Sequence, residues 1–546
     1  MMGYMNIRHA LAVILLCSPA MAHELRIEHV AIVSPERVAP LRDATVTIKG
    51  DRIVSITASK STTGNSATSR TGATGHSTSS KGATSKGIAS GTPQVINGMG
   101  LYLTPGLIDS HVHTSDPPGI GDLQAQAAPE VVRAIREQTP RSYLLFGYTT
   151  LIDLISTGAQ ATRWNAQTIR PDLYFCGAAQ NPRGYPPIKF VTEDDRQALL
   201  KYMIIQRGDE AEAPPGTDPT THTPEAVIAQ MKSDGALCVK TFYERGYGEV
   251  DEWRAPRLDT IRELVAAAHK NHMPVLIHAN GTDSQEFAVQ TGADIIAHGL
   301  WHWNREQSAT DLTPRARKIL DDALKANMGW QPTMQVLYGL RDLFDPEYLS
   351  DPRYATVMPA SAIQWYRSPQ GQWFHDILAT GLLSKPADGS EAPGKSQSPR
   401  DLQPPGDPRA DWKQAQAALA PPITRARNAT HYMAAHGARI LFGTDTPSAP
   451  TYANPPGLNG RREMQRMVEA GMTPLQVFRA ATQANAEVLG LAHDIGTVQP
   501  GKRANLLLLR ADPTQTVDAY DSIVKVILHG NVLDPAELAA NHVEAR

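Results

Sequence analysis

Between Leu101 and Thr446, eight short β-like runs alternate with stretches of helical periodicity, and this alternation limits the available folds more than any other feature of the chain. The runs are 106–113, 146–154, 172–178, 236–242, 273–279, 294–299, 328–334 and 438–445. Strands that alternate with helices imply βαβ units and a parallel sheet. Eight of them point to an α/β fold with a closed (β/α)8 (TIM) barrel over 105–489. Reactive side chains are then expected at the ends of the runs, because such barrels carry their chemistry at the C-terminal mouth of the strands.

The flanks read differently. Residues 1–22 have the layout of a cleavable signal peptide: Arg8 in the n-region, Ala10 to Leu16 as a short apolar core, and Ala20-Met21-Ala22 as an A-x-A cleavage site. The apolar run is too short to span a bilayer. The expectation is export to the periplasm or medium, with no stable membrane insertion after cleavage. Residues 23–104 open with alternating runs and a Gly50-Asp51 turn between Ala44–Lys49 and Ile53–Thr57, a β-hairpin signal. The Ser/Thr/Gly-rich 59–92 has almost no large apolar side chains and is expected to be a disordered loop. After Asn485 short strands return, Ala504–Leu509 and Ser522–His529. Residues 490–546 are therefore expected to join the N-terminal strands in a small β-sandwich built from both chain ends. A long insertion, 335–425, separates the seventh and eighth runs and is read as a lid or a surface elaboration, with helical patches around Trp365, Trp373 and Trp412.

A net charge of −3 gives no basic field, which argues against a nucleic-acid partner and leaves a small-molecule substrate. Assembly into a homo-oligomer stays open. With Cys17 removed, Cys176 and Cys238 remain. An oxidising compartment would permit one disulfide, but their apolar surroundings favour buried free thiols.

Chemistry-bearing residues do collect at the predicted mouth. The first run ends in His111-Val112-His113, and alternation along a strand turns both imidazoles to one side, forming one edge of a metal site. The fourth run carries Lys240, the fifth His278, the sixth His298 and the eighth Asp445. Four histidines, a lysine and an aspartate thus face a common axis. Beyond them, Tyr243 and Arg245 follow the fourth run, and Arg245 is suited to a bidentate clamp on a substrate carboxylate or to a surface ion pair. Arg183 and Tyr185 follow the third run, and Trp301, His302 and Trp303 follow the sixth, as an aromatic rim or as ordinary packing. His269 and His272 read as solvated.

Several of these segments resemble the amidohydrolase superfamily. Leu103-Thr104-Pro105-Gly106-Leu107-Ile108-Asp109-Ser110-His111-Val112-His113 is similar to its opening signature. Gly147-Tyr148-Thr149-Thr150 resembles its second-strand motif, Phe442-Gly443-Thr444-Asp445 its eighth-strand motif, and Gly496 to Lys502 its C-terminal β-domain segment. The branch with imidazolonepropionase and the Xaa-Pro and Xaa-Arg dipeptidases is the most similar. Asn505 departs from the Asp that the family often has there.

The resemblance implies two divalent ions, with His111, His113 and Asp445 on the more buried one and His278 and His298 on the other. Lys240, carboxylated by CO₂, would bridge them. Asp445 would serve as general base and then general acid while a hydroxide activated by the pair attacks a carbonyl. Zinc is the default ion for imidazole-rich ligation, with Mn, Fe and Co alternatives. Single-metal deaminases of the superfamily place a Glu three residues after the fifth-strand His, where this chain has Gly281. Imidazolonepropionase lacks the bridging Lys. Both departures favour hydrolysis of an amide, in dipeptides or N-acyl amino acids. The alternatives are an esterase, lactonase or phosphotriesterase on the same ions, and a non-catalytic binding protein on a decayed barrel.

Overall fold

The computed structural model describes residues 23–58, 93–188, 191–246, 253–306, 308–382, 408–448 and 450–543. The expected signal segment, the Ser/Thr/Gly-rich 59–92 and most of the Pro- and Gly-rich middle of the insertion lie outside the described residues.

Two eight-stranded sheets organise the chain. The first begins with β1 (Glu24–Ile32), β2 (Leu41–Lys49), β3 (Arg52–Ala58), β4 (Gln94–Asn97) and β5 (Tyr102–Pro105). The second holds β6 (Leu107–Val112), β7 (Tyr148–Asp153), β8 (Asp172–Ala179), β9 (Cys238–Phe242), β10 (Val275–His278), β11 (Ile295–Ala297), β12 (Gly329–Gln331) and β13 (Arg439–Ile440). The chain then returns to the first sheet with β14 (Leu506–Leu509), β15 (Ile523–Leu528) and β16 (Asn531–Leu533).

Strands β6 to β13 are all parallel and pair in sequential order, so each neighbour in sequence is a neighbour in space. They are buried on both faces, every residue of β6, β7, β9 and β10 included, because helices cover the outer side. Those helices start where the sequence supplies caps. Thr157 accepts the Gln160 N–H in a capping box, and Thr313 caps Pro314–Lys325, which turns Ala316, Ile319, Leu320 and Ala323 inward.

The eighth run ends its regular pairing early, at Ile440. Leu441 N still donates to Trp330 O of β12 (2.9 Å), and the chain that follows runs alongside β6. Ser110 N donates to Phe442 O (3.2 Å), Asp445 N to His111 O (2.7 Å) and His113 N to Thr446 O (2.8 Å). Asn485 reinforces this seam from outside, its Nδ2 donating to both Ile108 O (2.9 Å) and Phe442 O (2.7 Å). The approach is close: a Cβ on Gly443 would lie 2.8 Å from the Cβ of His111, so glycine is required there.

In the other sheet, strands from both ends of the chain interleave in the order β16-β15-β14-β5-β1-β2-β3, with β4 also on β1. One hydrogen-bonded sheet joins all eight strands, where the sequence led to an expected sandwich. The reason lies in β1, whose one edge is shared by β4 along its first half and β5 at its end. Leu25, Ile27, Val46, Ile48, Leu506, Leu508 and Ile527 form its core.

Asp172, the first residue of β8, joins the two sheets. Its carboxylate accepts from His529 Nε2 (2.8 Å), Arg503 Nη1 (3.1 Å) and Asn505 Nδ2 (3.1 Å). Asn505 Oδ1 in turn accepts the His529 N–H (2.9 Å). An aspartate at 505 would set a second carboxylate against Asp172, so the departure from the family pattern has a local logic.

Cys176 and Cys238 form a disulfide, which corrects the expectation of free thiols. They are direct partners in the β8–β9 register with Cα atoms 4.4 Å apart, within bridging range. Composition around each cysteine carried no information about that register.

The described part of the insertion is helical and has its own core. Tyr348, Tyr354, Val357 and Tyr366 pack with Ile120, Val132 and Ile135 of the chain after β6. Trp365 lies in the helix Ala360–Tyr366, Trp373 opens Trp373–Leu382, and Trp412 lies in Pro408–Ala435. Two bonds fasten the insertion to the loop after β6, from Tyr366 Oη to Pro118 O (2.5 Å) and from Trp373 Nε1 to Gly119 O (3.0 Å).

Burial raises the pKa of the Asp172 carboxyl, but the His529 hydrogen bond and the charges of His529, Arg503 and Arg170 outweigh it and hold it at about 2. The stability this supplies is complete above the ordinary carboxylate pKa and is lost as pH falls through the depressed one. Asp172→Asn is therefore expected to lower the unfolding free energy by about 2 kcal/mol at neutral pH, a deficit that narrows from about pH 4 to about pH 2. Urea titrations across that range check it; a deficit independent of pH would contradict it.

Candidate active site

A cavity of about 310 Å³ opens where the parallel strands end, and His111, His113, Lys240, His278, His298 and Asp445 all line it. The seam between β6 and the eighth run assembles one half. Asp445 Oδ1 lies 2.8 Å from His111 Nε2 and 3.0 Å from His113 Nε2, a His-His-Asp triplet able to hold a metal ion. His298 brings its ring 5.0 Å from that of His111 and 4.5 Å from that of His278, which places the fifth- and sixth-run imidazoles on the opposite side.

Two of these residues have backbones that side chains rarely adopt. Asp445 has φ 58° and His298 φ 83°. Positive φ at a non-glycine residue costs on the order of 1–3 kcal/mol and persists where surrounding bonds enforce it. At Asp445 the enforcing bonds are those of the β6 seam.

The orienting bonds come from positions the sequence reading did not single out. Gln331, at the end of β12, sets its Oε1 3.2 Å from His111 Nδ1 and donates to Ser110 Oγ (2.8 Å). Thr333 Oγ1 faces His298 Nδ1 at 3.0 Å. Asp109 accepts the backbone N–H of His111 (3.2 Å) and the hydroxyl of Thr444 (2.7 Å), tying the two motif strands together. Asp109, His111 and His113 share one strand face, so period-two alternation could have identified Asp109. Beside His113 stands an acidic layer in which Asp153 accepts from Thr114 N (2.8 Å), Thr192 Oγ1 donates to Asp116 (2.6 Å) and Ser115 Oγ to Asp195. Burial pushes the pKa of all three carboxyls up.

Lys240 is the outlier in this set. It is 1% exposed, and its Nζ has no hydrogen-bond partner. Burial drives its pKa down to about 7, with Asp445 opposing. His111 falls to about 3 through burial and the charge of Lys240, and burial also lowers His278 and His298. Asp445 moves well below the usual carboxylate range, because His111 and His298 outweigh the opposing effect of burial. At His113 burial is outweighed by the Asp445 hydrogen bond and the charges of Asp445, Asp153 and Asp116, which raise the pKa. The other three imidazoles, the ionised carboxylate and the neutral amine are in the protonation states that divalent ions require of their ligands. The donor set fits such ions, and the orphaned amine is the atom that most needs a partner.

Tyr243, Arg245 and His302 are not among the described residues that line the cavity. The Tyr243 ring packs at a tilt against Phe287 with centroids 4.4 Å apart, Arg245 is exposed, and His302 forms a backbone bridge with Gly281. Tyr185 does reach the cavity, together with Ile155, Phe242, Trp253 and Trp373, while Arg183 is exposed. Trp301 packs against His298 at 5.2 Å, Trp303 is buried, and His269 forms an exposed pair with Asp294 (2.9 Å).

Glu244, between the two residues first singled out, is the one that turns inward. It is 9% exposed, and its Oε2 lies 3.5 Å from His278 Nε2.

Comparison with known proteins places these observations in a family. The amidohydrolase family model matches residues 102–301 and 420–533, more than half of the chain. Among curated proteins, adenine deaminase of Roseobacter denitrificans is 33% identical over 88 residues, 16% of this chain and 14% of that protein. The chain thus spans only a small part of that relative's length. Among solved structures, a Xaa-Pro dipeptidase with bound methionine is similar with a TM-score of 0.57 at 16% identity, covering 94% of this chain and 100% of the other. An A. niger ochratoxinase (TM-score 0.57, 18% identity, 94% and 96% coverage) and phenylurea hydrolase B (0.57, 19%, 94% and 97%) are similar too. At these identities the likeness is one of fold.

The His-His-Asp triplet leads to a direct expectation. Protein purified in the presence of zinc and then dialysed is expected to lose metal in His111→Ala and Asp445→Ala relative to wild type. Elemental analysis checks this, and wild-type metal content in either variant would contradict it.

Proposed function

Because the chain belongs to the amidohydrolase family and is a metal-dependent hydrolase of carbon–nitrogen bonds, we propose that it works with two divalent ions, zinc by default, held by His111, His113, Asp445, His278 and His298 and bridged by a carboxylated Lys240. The observation that carries this reading is the Lys240 amine, fully buried, unpartnered and set among four imidazoles and a carboxylate. With its pKa lowered to about 7, a substantial share of the amine is neutral at neutral pH. Its lone pair adds to CO₂ with loss of one proton, and the carbamate anion gives the cations the bridging charge that an ammonium would oppose.

When bound, the ions supply a water of lowered pKa, from 15.7 towards about 7, and a Lewis acid for the substrate carbonyl. Asp445 contributes the proton handling. Held ionised between His111 and His113, it accepts the proton of the attacking water at a carboxylate oxygen and passes it to the leaving nitrogen. The parallel sheet is read as a closed (β/α)8 barrel on the strength of the hydrogen bonds that tie β6 to residues 442–446.

The substrate is proposed to be a small amide with an apolar group beside the scissile bond, as in dipeptides or N-acyl amino acids. Ile155, Tyr185, Phe242, Trp253 and Trp373 give the cavity an apolar, aromatic wall, and its volume suits one such group. The names of the structurally similar Xaa-Pro dipeptidase and phenylurea hydrolase also denote C–N substrates. Export is proposed from the N-terminal pattern, and the Cys176–Cys238 disulfide suits an oxidising compartment.

A panel of dipeptides, N-acyl amino acids, ureas, esters and phosphotriesters, assayed with zinc and bicarbonate, tests the proposal. Turnover of amides with apolar side chains is expected, and ester or phosphotriester turnover without any amide turnover would overturn it. Asp445→Asn is expected to lower kcat/KM by about 10²–10⁴-fold. Lys240→Ala is expected to inactivate with partial recovery in small carboxylates. Protein equilibrated with ¹³C-bicarbonate is expected to show a carbamate signal that Lys240→Ala lacks; no such signal in active wild type would refute the bridge.

A further inference from the structure

We propose that Glu244 is a positioning residue that fixes the proton of His278 on Nε2 and so turns the lone pair of Nδ1 towards the second ion. The inference rests on the two-ion reading and concerns a residue to which that reading assigns no part.

Strand β9 explains why Glu244 is there. Lys240 and Phe242 line the cavity, and side chains repeat along a strand with period two, so residue 244 continues their face just beyond the strand end. Tyr243 and Arg245 fall on the other face. The Glu244 carboxylate is then locked by its own loop, its Oε1 accepting the backbone N–H of Arg245 (2.9 Å) and Gly246 (3.1 Å). These bonds leave Oε2 directed at His278 Nε2, 3.5 Å away.

His278 has little freedom to answer in any other way. Its ring lies 4.6 Å from the Tyr185 ring and 4.5 Å from that of His298, and it is 4% exposed. Nε2 is itself buried and lacks a hydrogen bond at this separation. A neutral imidazole carries one N–H and one lone pair. With a carboxylate facing Nε2, the proton is most stable there, because the reverse arrangement sets a lone pair against an anion. Nδ1 is then the only ring nitrogen left as a ligand. Histidine ligands generally gain both orientation and basicity from such a carboxylate on the far nitrogen. Closing the separation to a full hydrogen bond needs only a small shift of either group.

The test combines zinc titration with a spectroscopic readout on the full-length protein. In wild type, ¹⁵N spectra of labelled histidines are expected to show His278 protonated at Nε2, both before and after zinc is added. Glu244→Gln, which keeps the size but removes the charge, is expected to weaken the second zinc-binding step by about 10–100-fold while the first is unchanged. Glu244→Asp is expected to recover part of that loss, which a purely structural defect would not do. Unchanged affinity for both zincs in Glu244→Gln, or a His278 protonated at Nδ1, would overturn the proposal. A wild type that binds one zinc would instead sink the two-ion reading, while the tautomer measurement would still decide the role of Glu244.

Discussion

The site depends on a short ladder of backbone hydrogen bonds between β6 and residues 442–446. The two segments are more than 300 positions apart in sequence, and no side chain of the candidate centre can act until they meet. The Asp445 N–H donating to His111 O sets the carboxylate beside both first-run imidazoles. Gly443 lets the chains approach, Asn485 clamps them from outside, and Asp109 bonds across them through Thr444. Each contact is local and weak. Together they hold Asp445 in a left-handed backbone conformation that it would not adopt alone.

That rigidity has a chemical purpose. Four imidazoles, an amine and a carboxylate are taken out of water, which is costly for any of them in its charged form. Burial settles the cost by changing protonation: His111, His278, His298 and Lys240 are driven towards neutrality, while Asp445 stays ionised because His111 and His298 face it, and His113 alone is pushed up by Asp445 and its neighbouring carboxylates. The outcome is a set of lone pairs preorganised for cations, with one amine left unpartnered. Tyr185 after β8, Phe242 and Trp253 at and after the end of β9, and Trp373 of the insertion then wall the cavity with aromatic rings. Strand β9 serves both, with Lys240 among the imidazoles and Phe242 in the wall.

Much of this could be read from the sequence, for a physical reason. A parallel strand followed by a helix announces itself through short apolar runs, and the C-terminal edge of such a sheet collects reactive residues at the run ends, so His111, His113, Lys240, His278, His298 and Asp445 were all identifiable. What escaped depended on register and parity. Tyr243 and Arg245 stand out by residue type, but counting by twos from Lys240 selects 242 and 244. The Cys176–Cys238 bond required the pairing register of β8 and β9, which neither strand encodes separately. Gln331 and Thr333 look like ordinary polar residues until the fold sets them behind His111 and His298. The eighth run was legible as apolar, but its departure towards β6 after Ile440 was not.

The central claim is that these six side chains cage a pair of cations, and anomalous diffraction from crystals grown with zinc and bicarbonate tests it most directly. The account requires two zinc peaks about 3.5–4 Å apart, the first beside His111, His113 and Asp445 and the second beside His278 and His298, with density extending from Lys240 Nζ between them. A single peak at the first position with an unmodified Lys240, or zinc bound elsewhere, would contradict it.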